Sequence, residues 1–130
     1  MRYVEKPELS ARVVADLRIK VGWEAREEQL ETVLGRTYLS IACFDENNLV
    51  GFVDVISDGV EDALIRNLIV DPGYHQKGIG HKLLGIVVRR LKADQIKTVN
   101  VLFEPGLNEF YRKAGFKIVS GGIIDTEEGF

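Results

Sequence analysis

The stretch from Asn67 to Leu84, NLIVDPGYHQKGIGHKLL, leaves this chain few folds to choose from. A run rich in Leu, Ile and Val ends at Asp71-Pro72, and a polar loop follows. Gly78-Ile79-Gly80 then opens a segment in which Ile79, Leu83, Leu84, Val87 and Leu91 recur at helical spacing. The order is strand, glycine loop, amphipathic helix. The first amide N–H groups of such a helix have no intrahelical partner, and the macrodipole is positive there, so the arrangement makes an anion site.

Spacing excludes two familiar nucleotide loops. A P-loop needs Gly-Lys-Ser/Thr after a glycine and four residues, but Lys77 precedes its glycine and no hydroxyl is placed to hold magnesium. A dinucleotide fingerprint needs a third glycine where Leu83 stands. The register His75-Gln76-Lys77-Gly78-Ile79-Gly80, preceded by Val70-Asp71-Pro72, resembles instead the pyrophosphate loop of the GCN5-related N-acetyltransferases (GNAT family). That loop reads Arg or Gln, two residues, Gly, one residue, then Gly or Ala. His75 stands where the family usually has Arg or Gln, and Gln76 comes one place late.

The rest of the chain reads as one domain spanning residues 1–130. Arg2 to Lys6 is a short strand. Leu9, Val13, Leu17 and Val21 repeat every four residues on a helix that stops at Gly22, and residues 26–34 form a second helix burying Leu30, Val33 and Leu34. Thr37–Phe44 and Leu49–Ile56 alternate as a hairpin, broken by Asp54 between Val53 and Val55. Ala63–Val70 is the strand before the loop, Ile96–Phe103 a further strand, Leu107–Ala114 a short helix, and residues 116–119 and 123–124 two last strands. The order βααβββαβαββ is α+β with one parallel crossover around the glycine loop.

A second motif carries the resemblance further. Asn108-Glu109-Phe110-Tyr111-Arg112-Lys113-Ala114-Gly115-Phe116 matches the family's Asn…Tyr…Gly-Phe helix. The resemblance implies the GNAT fold: a mixed, mostly antiparallel sheet flanked by about four helices. It also implies acetyl-coenzyme A as acyl donor and an amine as acceptor, a small molecule or a lysine or protein N-terminus. By the same resemblance Tyr111 is the general acid beside the departing sulfur, and Asn108 binds the pantetheine arm or its neighbourhood. The backbone of Leu68, Ile69 and Val70 pairs with the pantetheine amides. His75, Gln76, Lys77, Gly78, Ile79, Gly80 and His81 supply the phosphate cradle. Some relatives carry a catalytic glutamate early in this strand, where this chain has Leu64. Asp54, Glu61, Asp62 and Glu104 are the carboxylates near enough in sequence to serve as base, and a water chain would serve as well. A domain of the same fold that binds acyl-coenzyme A without turnover is the other reading.

Composition narrows the partners. A formal charge of −3 and pI near 5.4 disfavour nucleic acid. No apolar run approaches the ~20 residues of a membrane span, and MRYVEKPELS lacks a signal-peptide core. The single cysteine, Cys43, reads as a buried structural thiol in a reducing, cytoplasmic setting. His75 and His81 have no third ligand nearby, so no metal site is expected. A homodimer is left open. For the acceptor, Asp54, Asp58, Glu61 and Asp62 suggest an acidic cluster beside the cofactor strand, with Trp23 covering it; together they predict a cationic amine.

Overall fold

The computed structural model describes residues 1–127. Its elements are β1 (Arg2–Glu5), α1 (Ala11–Lys20), α2 (Glu27–Val33), β2 (Leu39–Asp45), β3 (Asn48–Ser57), β4 (Asp62–Val70), α3 (Ile79–Ala93), β5 (Thr98–Val101) and α4 (Asn108–Lys113). The sheet order follows the chain, β1-β2-β3-β4-β5. The first four strands are antiparallel neighbours, and only β4 and β5, joined through α3, run parallel. The α+β class and mostly antiparallel sheet agree with the expectation from sequence.

β3 is the middle strand and is buried on both faces from Leu49 to Val55. On one face Val53 and Val55, with Leu39 and Ile41, meet Leu83, Leu84, Val87 and Leu91 of α3. On the other, Phe52, Ala42 and Ile69 meet Val14 and Leu17 of α1 and Leu30 of α2. Each such side chain contributes roughly 1.5–3 kcal/mol by leaving water. The sequence stripe of α3 is the stripe that is buried.

α1 differs from its expectation. Ser10 caps it, accepting from the Val13 amide at 3.3 Å, and its buried residues are Val14, Ala15 and Leu17, whereas Val13 is 40% exposed. A four-residue spacing advances about 40° too far per step on a helix of 3.6 residues per turn, so Val13 falls off the face on which Leu17 is buried, while Leu9 and Val21, at the two ends, still pack half-buried against that core. The two last strands are also corrected. Residues 116–125 contain no strand. Gly115, at φ +99°, turns the chain, and Phe116 and Ile118 pack on the core while Val119, Ile123 and Ile124 remain exposed. A gap of about 430 Å³ lies between residues 116–119 and the edge of β5, so no ladder closes there.

One irregularity positions everything that follows. Phe52 pairs with Ile69 and Asp54 with Arg66, so two steps along β3 match three along β4. The extra residue is a bulge at Asn67, whose φ is +52°. Asn67 and Leu68 have no register partner on either neighbouring strand, and β5 pairs with β4 only from Asp62 to Ile65. Beyond Ile65 the two strands part.

Gly51 lets α3 sit directly on β3. A Cβ there would lie 3.0 Å from Ile79 Cγ2, 3.1 Å from Leu83 Cδ1 and 3.2 Å from Cys43 Cβ. Gly51→Ala should therefore cost about 1–3 kcal/mol by overpacking. A urea midpoint equal to wild type would show that α3 moves away without penalty. A second prediction concerns alkali, because all four tyrosines hold their protons above the ordinary value of 10.0. Burial pushes Tyr3 to about 12 and raises Tyr111; hydrogen bonds to Asp94 and Asp45 raise Tyr38 and Tyr74. A raised native value means that the folded state binds the proton more tightly. Stability is then full below the unfolded value near 10 and is lost as pH climbs through the native values. The urea midpoint should stay level from pH 8 to about 10 and fall above it, less steeply in Tyr3→Phe.

Candidate active site

Where β4 leaves β5 the sheet opens into a cleft of about 790 Å³. Arg66, Asn67 and Leu68 form one wall, residues 101–104 the other, and Asn108 and Tyr111 of α4 the floor, with Trp23 at one end. Pro105 begins a 3-10 turn that hands the chain to α4. That turn drives Tyr111 inward, stacked on Phe103 at 4.1 Å and edge-on to Phe110 and Phe116 at 5.0 and 5.7 Å. Burial raises its phenol, and its hydroxyl has no hydrogen-bond partner among the described residues. Asn108 starts α4, yet no side chain caps that helix, so its amide is not spent on capping.

The start of α3 is uncapped as well. Its N-cap, Gly78, has φ +78°, open space where a Cβ would be, and no side-chain hydrogen bond to the first turn. The amides of Ile79, Gly80 and His81 thus face outward without intrahelical partners. Lys77 and Gln76 flank them on the exposed loop. His75, also exposed, folds back on the strand: Nε2 donates to the Val70 carbonyl at 2.9 Å, since a carbonyl can only accept. That bond occupies the Val70 oxygen, and Ile69 is paired with Phe52, so Leu68 is the strand residue whose backbone is left over. Gly80 serves a contact the sequence hid. A Cβ there would lie 3.1 Å from Phe110 Cζ, and His81 lies 4.3 Å from the same ring. Lys82 reaches the other way, 5.8 Å from the Tyr3 ring.

The expected acceptor residues are distributed differently from the sequence expectation. Asp54 is fully buried on the face under α1, where it pairs with Arg66 at 3.1 Å and accepts from Asn67 at 3.3 and 3.4 Å. Burial pushes its carboxyl up, opposed by Arg66 and Asn67. Asp58 turns back on its own loop, accepting from the amides of Glu61, Val60 and Asp62, and these bonds hold it below the usual carboxylate range. Neither Asp58 nor Glu61 lines the cleft. Their turn sits at the end where β4 and β5 are paired, and the cleft opens at the other end. Trp23 does line the cleft, but the Arg18 guanidinium already lies 5.2 Å over its ring. Among the described residues, Glu104 is the one carboxylate on the cleft wall. Arg66, unremarked in the sequence, lies between cleft and core with Nε buried and unpartnered, a loss of roughly 1–3 kcal/mol.

A family model described as an acetyltransferase (GNAT) domain matches residues 14–125. The chain belongs to the GNAT family. Among curated relatives, the N-acetyltransferase ycf52 of Gracilaria tenuistipitata var. liui is 26% identical over 79% of this chain and 59% of its own length. A protein named histone acetyltransferase TAP1, from Glycine max, is 28% identical over 80% of this chain and 50% of its own. The chain thus spans about half to three fifths of these relatives. A GNAT-family acetyltransferase from Streptococcus pneumoniae superposes with TM-score 0.81 at 25% identity, covering 96% of this chain and 97% of that one. A Thermoplasma acidophilum PaiA N-acetyltransferase, solved with coenzyme A, shares the fold at TM-score 0.75 and 20% identity, covering 94% of each.

The two loop glycines should behave differently. Gly80→Val pushes on Phe110 and should change the near-ultraviolet circular dichroism of the aromatic cluster along with stability. Gly78→Val strains only its own backbone, about 1–2 kcal/mol, and should leave that spectrum unchanged. Identical spectra for both variants would show that Phe110 does not rest on Gly80.

Proposed function

We propose that the chain transfers an acetyl group from acetyl-coenzyme A to a primary amine, with Tyr111 as the acid. The observation that carries this reading is a phenol, without a hydrogen-bond partner among the described residues, on the floor of the gap between β4 and β5. The donor set suits the cofactor. Amides at the start of α3, with Lys77 and Gln76 beside them, would hold its phosphates. The unpaired backbone of Leu68 and the amide of Asn108 would hold its arm. When bound, acetyl-coenzyme A supplies an activated thioester carbonyl.

The remaining work belongs to the chain. Tyr111 keeps a proton on Oη through the neutral range because burial disfavours the phenolate. The Leu68 N–H donates toward developing negative charge. An arriving ammonium must lose a proton, and Glu104 on the cleft wall, or water, takes it. The acceptor is a small molecule or an exposed lysine or N-terminus; the relative from Glycine max is named for histones. Two Arabidopsis thaliana relatives are named chloroplastic. The buried lone Cys43 suits a reducing compartment, the cytoplasm included.

Thiol release from acetyl-coenzyme A across an amine panel tests the reaction. Binding of acetyl-coenzyme A with no turnover on any acceptor would favour a non-catalytic acyl-binding domain. Tyr111→Phe keeps the stack on Phe103 and should lower kcat about 10²-fold with little change in KM for acetyl-coenzyme A. The rate should rise toward alkaline pH as the amine deprotonates, with no downturn from the phenol until pH exceeds its ordinary 10.0. Equal turnover in the two proteins would reduce Tyr111 to a packing residue.

A further inference from the structure

A smaller pocket of about 180 Å³ adjoins the cleft, the two sharing Arg66 and Asn67 in their linings. Three arginines, Arg18, Arg26 and Arg66, line it with the amides of Gln29 and Asn67, and no carboxylate among the described residues does. Asp54 pairs with Arg66, and Glu24 acts as a counter-charge on Arg18, so the three cations are offset in part and the lining stays net positive. Arg26 makes no salt bridge among the described residues, although a left-handed φ of +53° keeps it at the pocket. Arg18 donates through Nε to the Glu24 carbonyl and through Nη1 to Asn67, leaving Nη2 over. In Arg66 only Nη2 is bonded, to Asp54, and Nε is buried with no partner. Burial and then the nearby Arg26 lower the Arg18 guanidinium's proton affinity, opposed by Glu24 and Asp54. The volume is several times the ~30 Å³ share of one water, ample for an oxyanion.

We propose that the amine acceptor carries an anionic group, a carboxylate or a phosphate, which docks among Arg18, Arg26 and Arg66 while its amine enters the cleft beside Glu104 and Tyr111. The proposal rests on the reading of the cleft as an acetyl-transfer site, and it reverses the sign of acceptor that the acidic turn suggested. Planar guanidinium forks match either oxyanion with two parallel N–H donors. Glu104, at the cleft, is placed for the ammonium end of the same molecule.

Three acceptors of equal chain length test this: an aminoalkyl carboxylate, an aminoalkyl phosphate and an amino alcohol. Thiol release should give kcat/KM at least about tenfold higher for one of the two anionic amines than for the alcohol. Arg26→Gln, at an exposed position that should not disturb folding, should cut that preference to about twofold. Which anion wins identifies the group. Separately, the arginine Nε–Hε signals in ¹⁵N-edited spectra should shift saturably with inorganic phosphate or acetate in wild type and not in Arg26→Gln. Equal rates for anionic and neutral amines, or signals that neither anion moves, would overturn the proposal. Saturable shifts without turnover of any amine would overturn the transfer reading and leave the anion pocket standing.

Discussion

A single additional residue in β4 is the constraint to which the rest of the molecule answers. In a regular strand Ile65 and Ile69, four apart, would point to one face. Here Ile65 belongs to the core under α3 and Ile69 to the core under α1 and α2, because the bulge at Asn67 inverts the alternation. The same bulge turns β4 away from β5 once Ile65 has paired with Val101. A sheet without it would zip shut and have no cleft. Asn67 is held in its left-handed backbone from both ends of its side chain, donating to Asp54 and accepting from Arg18.

That anchoring explains a carboxylate in the middle of the most buried strand. Asp54 is costly to ionise at 0% exposure, and Arg66 and Asn67 make it tolerable. Its job is structural and electrostatic together. It ties β3 to both sides of the bulge, and it supplies one negative charge behind a pocket of arginines. Removing either member of such a pair typically costs about 3–5 kcal/mol, since the survivor is left buried and uncompensated. The carboxylate that sequence reading assigned to a ligand is therefore spent within the protein.

Local chemistry made much of the molecule legible. The stripe of α3, the glycine at its start and the burial of Tyr111 all follow from residues near one another in the chain. What could not be read depends on pairing across distance. Asp58 looked available until its oxygen was seen to be capped by amides of its own turn, and that turn proved to lie at the paired end of β4 and β5. Arg18, Arg26 and Arg66 come from three elements and no local pattern joins them. The alternation in residues 116–119 suggested a strand, but alternation alone supplies no neighbour, and the edge of β5 stays apart from it.

Phe110 and Tyr111 are consecutive, yet they serve different places: one meets the start of α3, the other the cleft. The first ring rests on Gly80 at the start of α3, the second forms the floor between the strands, and they touch edge to face at 5.0 Å. One six-residue helix therefore acts as a caliper, its two jaws set by adjacent rings. A displacement of the α3 entrance cannot leave the phenol where it was, because packed aromatic rings transmit ångström-scale shifts rather than absorb them. The entrance of α3 and the phenol of the cleft floor are thus mechanically coupled through a single phenylalanine ring.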